Sequence, residues 1–286
     1  MAERSPATVA LMTHHRPRHR FRIQNLAEQV ARFQRDGYIK LKDVLGADAL
    51  EHYGREITRQ VLLLNKQDKP LEHRTTYGKA FLQIMNLWRQ SEVVREFVFG
   101  QRLARIASDL LQTRGARLYH DQALYKEAGG GYTPWHVDQF YWPLASEKTV
   151  TAWIPLHAVP LENGPLMFSV GSQRIKAGRD LEISDDSEKK IDEQLKLSNL
   201  PQDETPYDLG EVSFHTSATP STAPGRTRRR RAREVMTIIY MDSEMHLAAP
   251  KNKNQQSDWD NWCPGARIGE VIDTPLNPVL FERSSA

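Results

Sequence analysis

Cysteine is almost absent: the 286 residues contain one, Cys263. A disulfide framework within the chain and a cysteine-rich zinc site are therefore excluded, and a reducing, cytoplasmic location is expected. Charge of one sign is lacking too, because 39 Lys+Arg stand against 36 Asp+Glu for a formal +3. Nothing in that balance demands a nucleic acid or a membrane as partner. No apolar run approaches membrane length, and residues 1–20 have no apolar core of the kind a signal peptide carries.

What is present suffices for one sizeable core, so a single domain over 21–286 is expected behind a basic, disordered lead at 1–20. Leu26, Val30 and Phe33 recur at helical spacing up to Asp36-Gly37, and Tyr38-Ile39-Lys40-Leu41 then alternates as a short strand. Residues 47–65 and about 91–113 predict further helices, the second broken near Gly100. From Leu118 the period falls to two, with the turn Gly129-Gly130-Gly131 leading into a strand through His136. Strands are also predicted over 150–156, 167–170, 210–215 and 234–241. The polar interval 176–207 reads as a surface excursion, part helix and part loop, placed to act as a lid. The tail from Asp258 is expected across the outside of the barrel. Helices first and many strands afterwards predict a mainly β fold with flanking α, an antiparallel double-sheet barrel.

The densest chemistry lies in Pro134-Trp135-His136-Val137-Asp138-Gln139. Residues two apart on a strand share a face, so His136 and Asp138 can offer an imidazole nitrogen and a carboxylate oxygen to one point. Such an H-x-D pair supplies two of the three ligands of a non-haem Fe(II) facial triad. The same two letters also describe a strand-end histidine bonded to a neighbouring acid.

Phe33-Gln34-Arg35-Asp36-Gly37-Tyr38, Asp121-Gln122-Ala123-Leu124-Tyr125-Lys126, Trp135-His136-Val137-Asp138, Asn163-Gly164-Pro165-Leu166 and Gly210-Glu211-Val212-Ser213-Phe214-His215 follow one another in the chain. Together they resemble the phytanoyl-CoA dioxygenase family of Fe(II)- and 2-oxoglutarate-dependent oxygenases. The resemblance implies a double-stranded β-helix (jelly roll, cupin-like), with Fe(II) held by His136 and Asp138 and with 2-oxoglutarate and O2 as cosubstrates. It implies that Gln122 and Trp153 line the 2-oxoglutarate pocket and that Arg233 pairs with the distal carboxylate, a role suited to a planar guanidinium fork. Read without the family, Trp153 is a core residue and Gln122 satisfies a neighbouring backbone group.

One segment departs from the family. Where the third iron ligand, a histidine near Ser221, is expected, the chain reads Thr216-Ser217-Ala218-Thr219-Pro220-Ser221-Thr222-Ala223-Pro224-Gly225-Arg226-Thr227, followed by arginines. Permitted codons for Ala218 to Thr227, read from the third base of the first, can spell Asp-Thr-Phe-His-Arg-Ala-Gly-Pro-Asn. The histidine falls across the codons of Ser221 and Thr222. About residues 217–231 are therefore expected to be a frame-shifted segment in an otherwise intact oxygenase sequence. His215 is a weak substitute ligand, and His246 reads as a surface residue. The arginine-rich run reads as a solvated loop, since no aromatics interleave it.

The resemblance thus implies an oxygenase hydroxylating a C–H bond of a small apolar or ring-bearing molecule, with decarboxylation of 2-oxoglutarate to succinate and CO2. Tyr141 and Trp142 are the expected substrate walls. Two rivals stay open: an impaired or catalytically dead binding protein on the same fold, and a cupin-like isomerase or hydrolase using another metal. Assembly leaves no signature in the sequence.

Overall fold

A computed structural model describes residues 26–223 and 232–284. The basic lead at 1–20 and most of the arginine run fall outside the described residues. Four helices come early: α1 (Leu26–Asp36), α2 (Ala47–Leu64), then α4 (Glu92–Val98) and α5 (Gln101–Leu111), with the short α3 (Thr76–Ala80) between α2 and α4. The expected break at Gly100 separates α4 from α5.

Period-two sequence becomes two antiparallel sheets. The larger has the order β1 (Tyr38–Leu41), β8 (Val212–Thr216), β5 (Thr149–Pro155), β10 (Arg233–Asp242), β3 (Gly115–Lys126), β11 (Val279–Glu282), and β2 (Leu82–Met85) also pairs with β3. The smaller runs β4 (Thr133–His136), β9 (Ser221–Ala223), β6 (Met167–Ser169), β7 (Gln202–Asp203).

Alternation along the strands decides what faces what. On β10, Met236, Ile238 and Tyr240 join Val150, Ala152 and Ile154 of β5 in the main core, against Leu50, Ile57, Leu103 and Leu110 of the helices. The intervening Arg233 and Thr237 turn the other way, into the space between the sheets, where Trp153 of β5 also points. A register shift at Ile239/Tyr240, opposite His120 and Leu118, re-aims the far end of β3. Tyr119 consequently joins Ile239 and Met241 in a second cluster at the barrel mouth.

Three expectations need correction. The H-x-D motif is not one continuous strand: β4 ends at His136, and Asp138 opens a 3-10 turn, Asp138–Phe140. The turn closes because the Tyr141 N–H donates to Asp138 O at 3.0 Å, while Gln139 N–H is taken by Ser217 O at 3.0 Å. Second, the C-terminal tail does not simply cross the outside. Residues Lys253–Trp262 form α7, capped by the Asn252 side chain accepting from Gln255 N–H, and Trp259 and Trp262 seal the cluster around Tyr119 and Trp142. Two large indoles three residues apart share a helix face that needs burial, which brings the helix onto the mouth. Third, residues 82–85, unassigned in the sequence reading, form β2 beside β3. The excursion at 176–207 is indeed part helix, α6 (Asp185–Ser198), with a Ser184/Ser187 capping box.

Gly210 sets the entry to β8. Its φ is +86°, and a Cβ there would lie 2.3 Å from the Leu45 carbonyl oxygen. Gly210→Ala is expected to cost about 1–3 kcal/mol through strain and backbone displacement, read as a lower urea midpoint with an unchanged slope.

Candidate metal and 2-oxoglutarate site

His136 and Asp138 meet despite the end of the strand. The His136 Nδ1 lies 2.9 Å from the Pro134 carbonyl, and because a carbonyl only accepts, this contact places the proton on Nδ1. The Nε2 lone pair is then left facing Asp138 Oδ1 at 3.7 Å. Two electron-pair donors so placed can share a cation. The other carboxylate oxygen, Oδ2, lies 3.4 Å from His215 Nε2 and accepts from Thr151 Oγ1 at 3.3 Å. Burial would raise the Asp138 carboxyl, but the His215 hydrogen bond and the neighbouring His136 and Thr151 outweigh it and hold the group below its ordinary value.

The third position is where the geometry falls short. In the β4–β9 ladder Ser221 is the register partner of His136, and Thr222 Oγ1 donates to Thr133 O at 2.6 Å. The segment thus stands beside the H-x-D pair, but it presents a hydroxyl. His215 is buried on β8 and orients Asp138, with its Nδ1 unpartnered. His246 is exposed. Among the described residues, no three His, Cys, Asp or Glu side chains are grouped to hold a metal. The residues therefore fit two positions of a facial triad and not the third.

The 2-oxoglutarate side fits better. A cavity of about 50 Å³ between the sheets is lined by His136, Asp138, Gln122, Trp153, Ser221 and Arg233 among others. Arg233 is 1% exposed. It donates to the Gly164 carbonyl, its carbon sits 5.4 Å from the Trp153 ring centre, and its Nε has no partner. Among the described residues no carboxylate pairs with it, and burial pushes it down to about 10. Its ladder partner Lys126, donating to Gly131 O at 2.8 Å, is pushed down to about 6 by burial and then by Arg233. A buried guanidinium with a free donor and no counter-charge is a ready carboxylate anchor. Gln122 is held from one side, its Oε1 accepting from Gln83 Nε2 at 2.5 Å.

This cavity shares His136, Asp138, Gln122, Phe81 and Leu124 with a larger chamber of about 480 Å³. Tyr141 and Trp142, the expected substrate walls, line that chamber, and the excursion contributes Glu182 and Ile183, whose N–H is accepted by Tyr141 Oη at 2.8 Å. Sequence reasoning missed Tyr77, Phe81 and Gln83, although Leu82-Gln83-Ile84-Met85 alternates as an edge strand does. It also missed Asp258, Asn261 and Trp262 on α7.

Asp258 accepts from Tyr119 Oη at 3.0 Å. Burial raises its carboxyl to about 7, opposed by the Tyr119 and Trp262 donors. At this residue the folded state holds up to one more proton than the unfolded chain between about pH 4 and 7, so its contribution to stability falls as pH rises through that window. Asp258→Asn removes this contribution, so its unfolding free energy should decline less steeply from pH 4 to 7 than that of the parent in paired urea titrations.

The phytanoyl-CoA dioxygenase (PhyH) family profile matches residues 33–232. Among solved structures, the epimerase SnoN from nogalamycin biosynthesis, in complex with Fe3+, alpha ketoglutarate and nogalamycin RO, superposes at TM-score 0.73 with 24% identity, over 90% of this chain and 98% of that one. The carbocyclase SnoK from the same biosynthesis gives TM-score 0.69 at 22% identity, over 88% and 95%. EctD from S. alaskensis with bound Fe gives 0.67 at 20%, over 87% and 88%. At these identities the structures speak for the fold. No curated protein matches the sequence. With the profile spanning most of the chain and the jelly-roll fold shared, the protein belongs to the phytanoyl-CoA dioxygenase family of Fe(II)- and 2-oxoglutarate-dependent oxygenases.

Proposed function

We propose that this is a hydroxylase site for a small, apolar or ring-bearing molecule, in which the metal centre of this particular chain is short of one ligand. The observation that carries the reading is the buried Arg233, without a carboxylate partner among the described residues, facing the same cavity as His136 and Asp138. In it, Arg233 receives the distal carboxylate of 2-oxoglutarate, with Trp153 beneath the guanidinium and Gln122 beside it. His136 and Asp138 are the two protein ligands for Fe(II). Tyr141 and Trp142 hold the substrate above them. The net reaction converts a substrate C–H to C–OH while 2-oxoglutarate and O2 give succinate and CO2.

Ser221 favours a second reading, an impaired or catalytically dead binding protein on this fold. A neutral hydroxyl is a poor replacement for an imidazole at an iron site. The altered segment from about 217 to 231 then reflects a shifted frame, and coding DNA whose alternative frame restores a histidine across codons 221 and 222 is the expected finding. Coding DNA with no such frame would remove that explanation. Among the described residues no helix is long and apolar enough to cross a membrane, so no spanning helix there anchors the site.

The test is an anaerobic titration with Fe(II) and 2-oxoglutarate, read by the visible charge-transfer absorption of the chelate. Ser221→His is expected to strengthen the band and tighten metal binding on the order of 10–100-fold, the scale on which supporting groups affect metal sites. Arg233→Met should weaken 2-oxoglutarate by about 2–5 kcal/mol, as loss of a buried charge partner does. Equal bands from the parent and Ser221→His would mean that another group completes the site. No band from either would withdraw the oxygenase assignment.

A further inference from the structure

The large chamber has an uneven charge. Its lining includes Asp258 on α7, Glu182 from the excursion and Asp138, yet among the described residues no lysine or arginine. Composition does not explain this, because basic residues outnumber acidic ones in the chain. Neighbouring groups do not neutralise Asp258 either. Its hydrogen-bond donors, Tyr119 and Trp262, are both neutral side chains, and no ion pair forms at it among the described residues. His120, also in the wall, is held neutral, pushed down to about 4 by burial, and its Nδ1 has no partner.

The aromatic groups are placed to match. Tyr77, Phe81, Tyr141, Trp142 and Trp262 line the chamber, and His120 lies 5.7 Å from Trp262 between ring centres. The Tyr141 phenol is raised to about 12, first by burial, against the Ile183 N–H, with the carboxylates of Glu182, Asp138 and Asp258 adding to the rise. Three acids therefore act on one phenol in the chamber's wall. Aromatic faces and uncompensated carboxylates both attract cations, and they do so more strongly away from water.

We infer that the chamber takes a substrate bearing a protonated amine beside an apolar ring system, the ammonium set against Asp258 with Glu182 at the entrance. The ring system lies against Trp142 and Trp262, which turns its C–H bonds toward His136 and Asp138. Asp258 is thereby a specificity-determining residue. This rests on the hydroxylase reading for what happens to the substrate, but the binding preference needs neither iron nor 2-oxoglutarate.

Three probes with one ring and different chain ends test it on the full chain by calorimetric titration at pH 8, metal-free: tryptamine as the cation, tryptophol as its neutral counterpart and indole-3-acetate as the anion. Tryptamine is expected to bind at least about tenfold tighter than tryptophol, with indole-3-acetate weakest. Asp258→Asn, which keeps an acceptor for Tyr119, should bring tryptamine to the level of tryptophol while tryptophol is unchanged. Glu182→Gln, at an exposed position, should reduce the preference by a smaller factor.

Equal binding of tryptamine and tryptophol, a preference that survives Asp258→Asn, or no binding of any probe up to 10 mM, an upper limit on the order of the weakest useful affinities, would each overturn the inference. A tryptamine preference alongside no charge-transfer band from either the parent or Ser221→His would leave the amine site standing and remove the hydroxylase reading. The converse result would do the opposite.

Discussion

Keeping the charge of Arg233 out of water is the constraint around which the inner faces of both sheets are arranged. An unpaired guanidinium at 1% exposure is costly, and the fold meets that cost with the Gly164 carbonyl and the face of Trp153 rather than with an acid. Lys126, its ladder partner, is driven towards neutrality by its own burial, and Arg233 adds to the effect. A second cation there would compound the repulsion, whereas a bound dicarboxylate relieves it. The alternation of β10 makes this possible, because the same strand sends Met236, Ile238 and Tyr240 into the helix-covered core and Arg233 and Thr237 into the cavity.

Much of this was legible in the sequence, for reasons that differ by element. Helices α1 and α2 and the break at Gly100 followed from apolar spacing, and β10 from its run of β-branched residues. The family motifs brought His136, Asp138, Gln122, Trp153 and Arg233 together, and they do line one cavity. Local signals failed where tertiary contacts decide. The H-x-D pair looks like strand spacing, but the Gln139 N–H bond to Ser217 ends the ladder and puts Asp138 on a turn. The tail helix has polar residues over most of its surface, so only two indoles marked the side that closes the chamber. Asp258 has no motif of its own, and its role depends on Tyr119 arriving from β3 after a register shift.

The two halves of the site stand in different conditions. In the proposed assignment the oxoacid side has Arg233 as its buried anchor, and the metal side has two oriented donors and a hydroxyl. His215 does not repair the difference, because its Nε2 is directed at the Asp138 carboxylate it orients. In that assignment binding and turnover are separable, the first resting on Arg233 and its neighbours and the second on the incomplete metal position.

The hydrogen bonds joining the segment at Ser221 to its surroundings have a further consequence. The backbone bond from Gln139 to Ser217 and the register of Ser221 with His136 place that backbone beside the turn without using the Ser221 side chain, and the Thr222 side chain adds its bond to Thr133. The scaffold holds the position of the missing donor independently of the donor. In the proposed reading a histidine restored at this position completes the ligand set, so loss or recovery of metal chemistry can proceed there without the fold having to change.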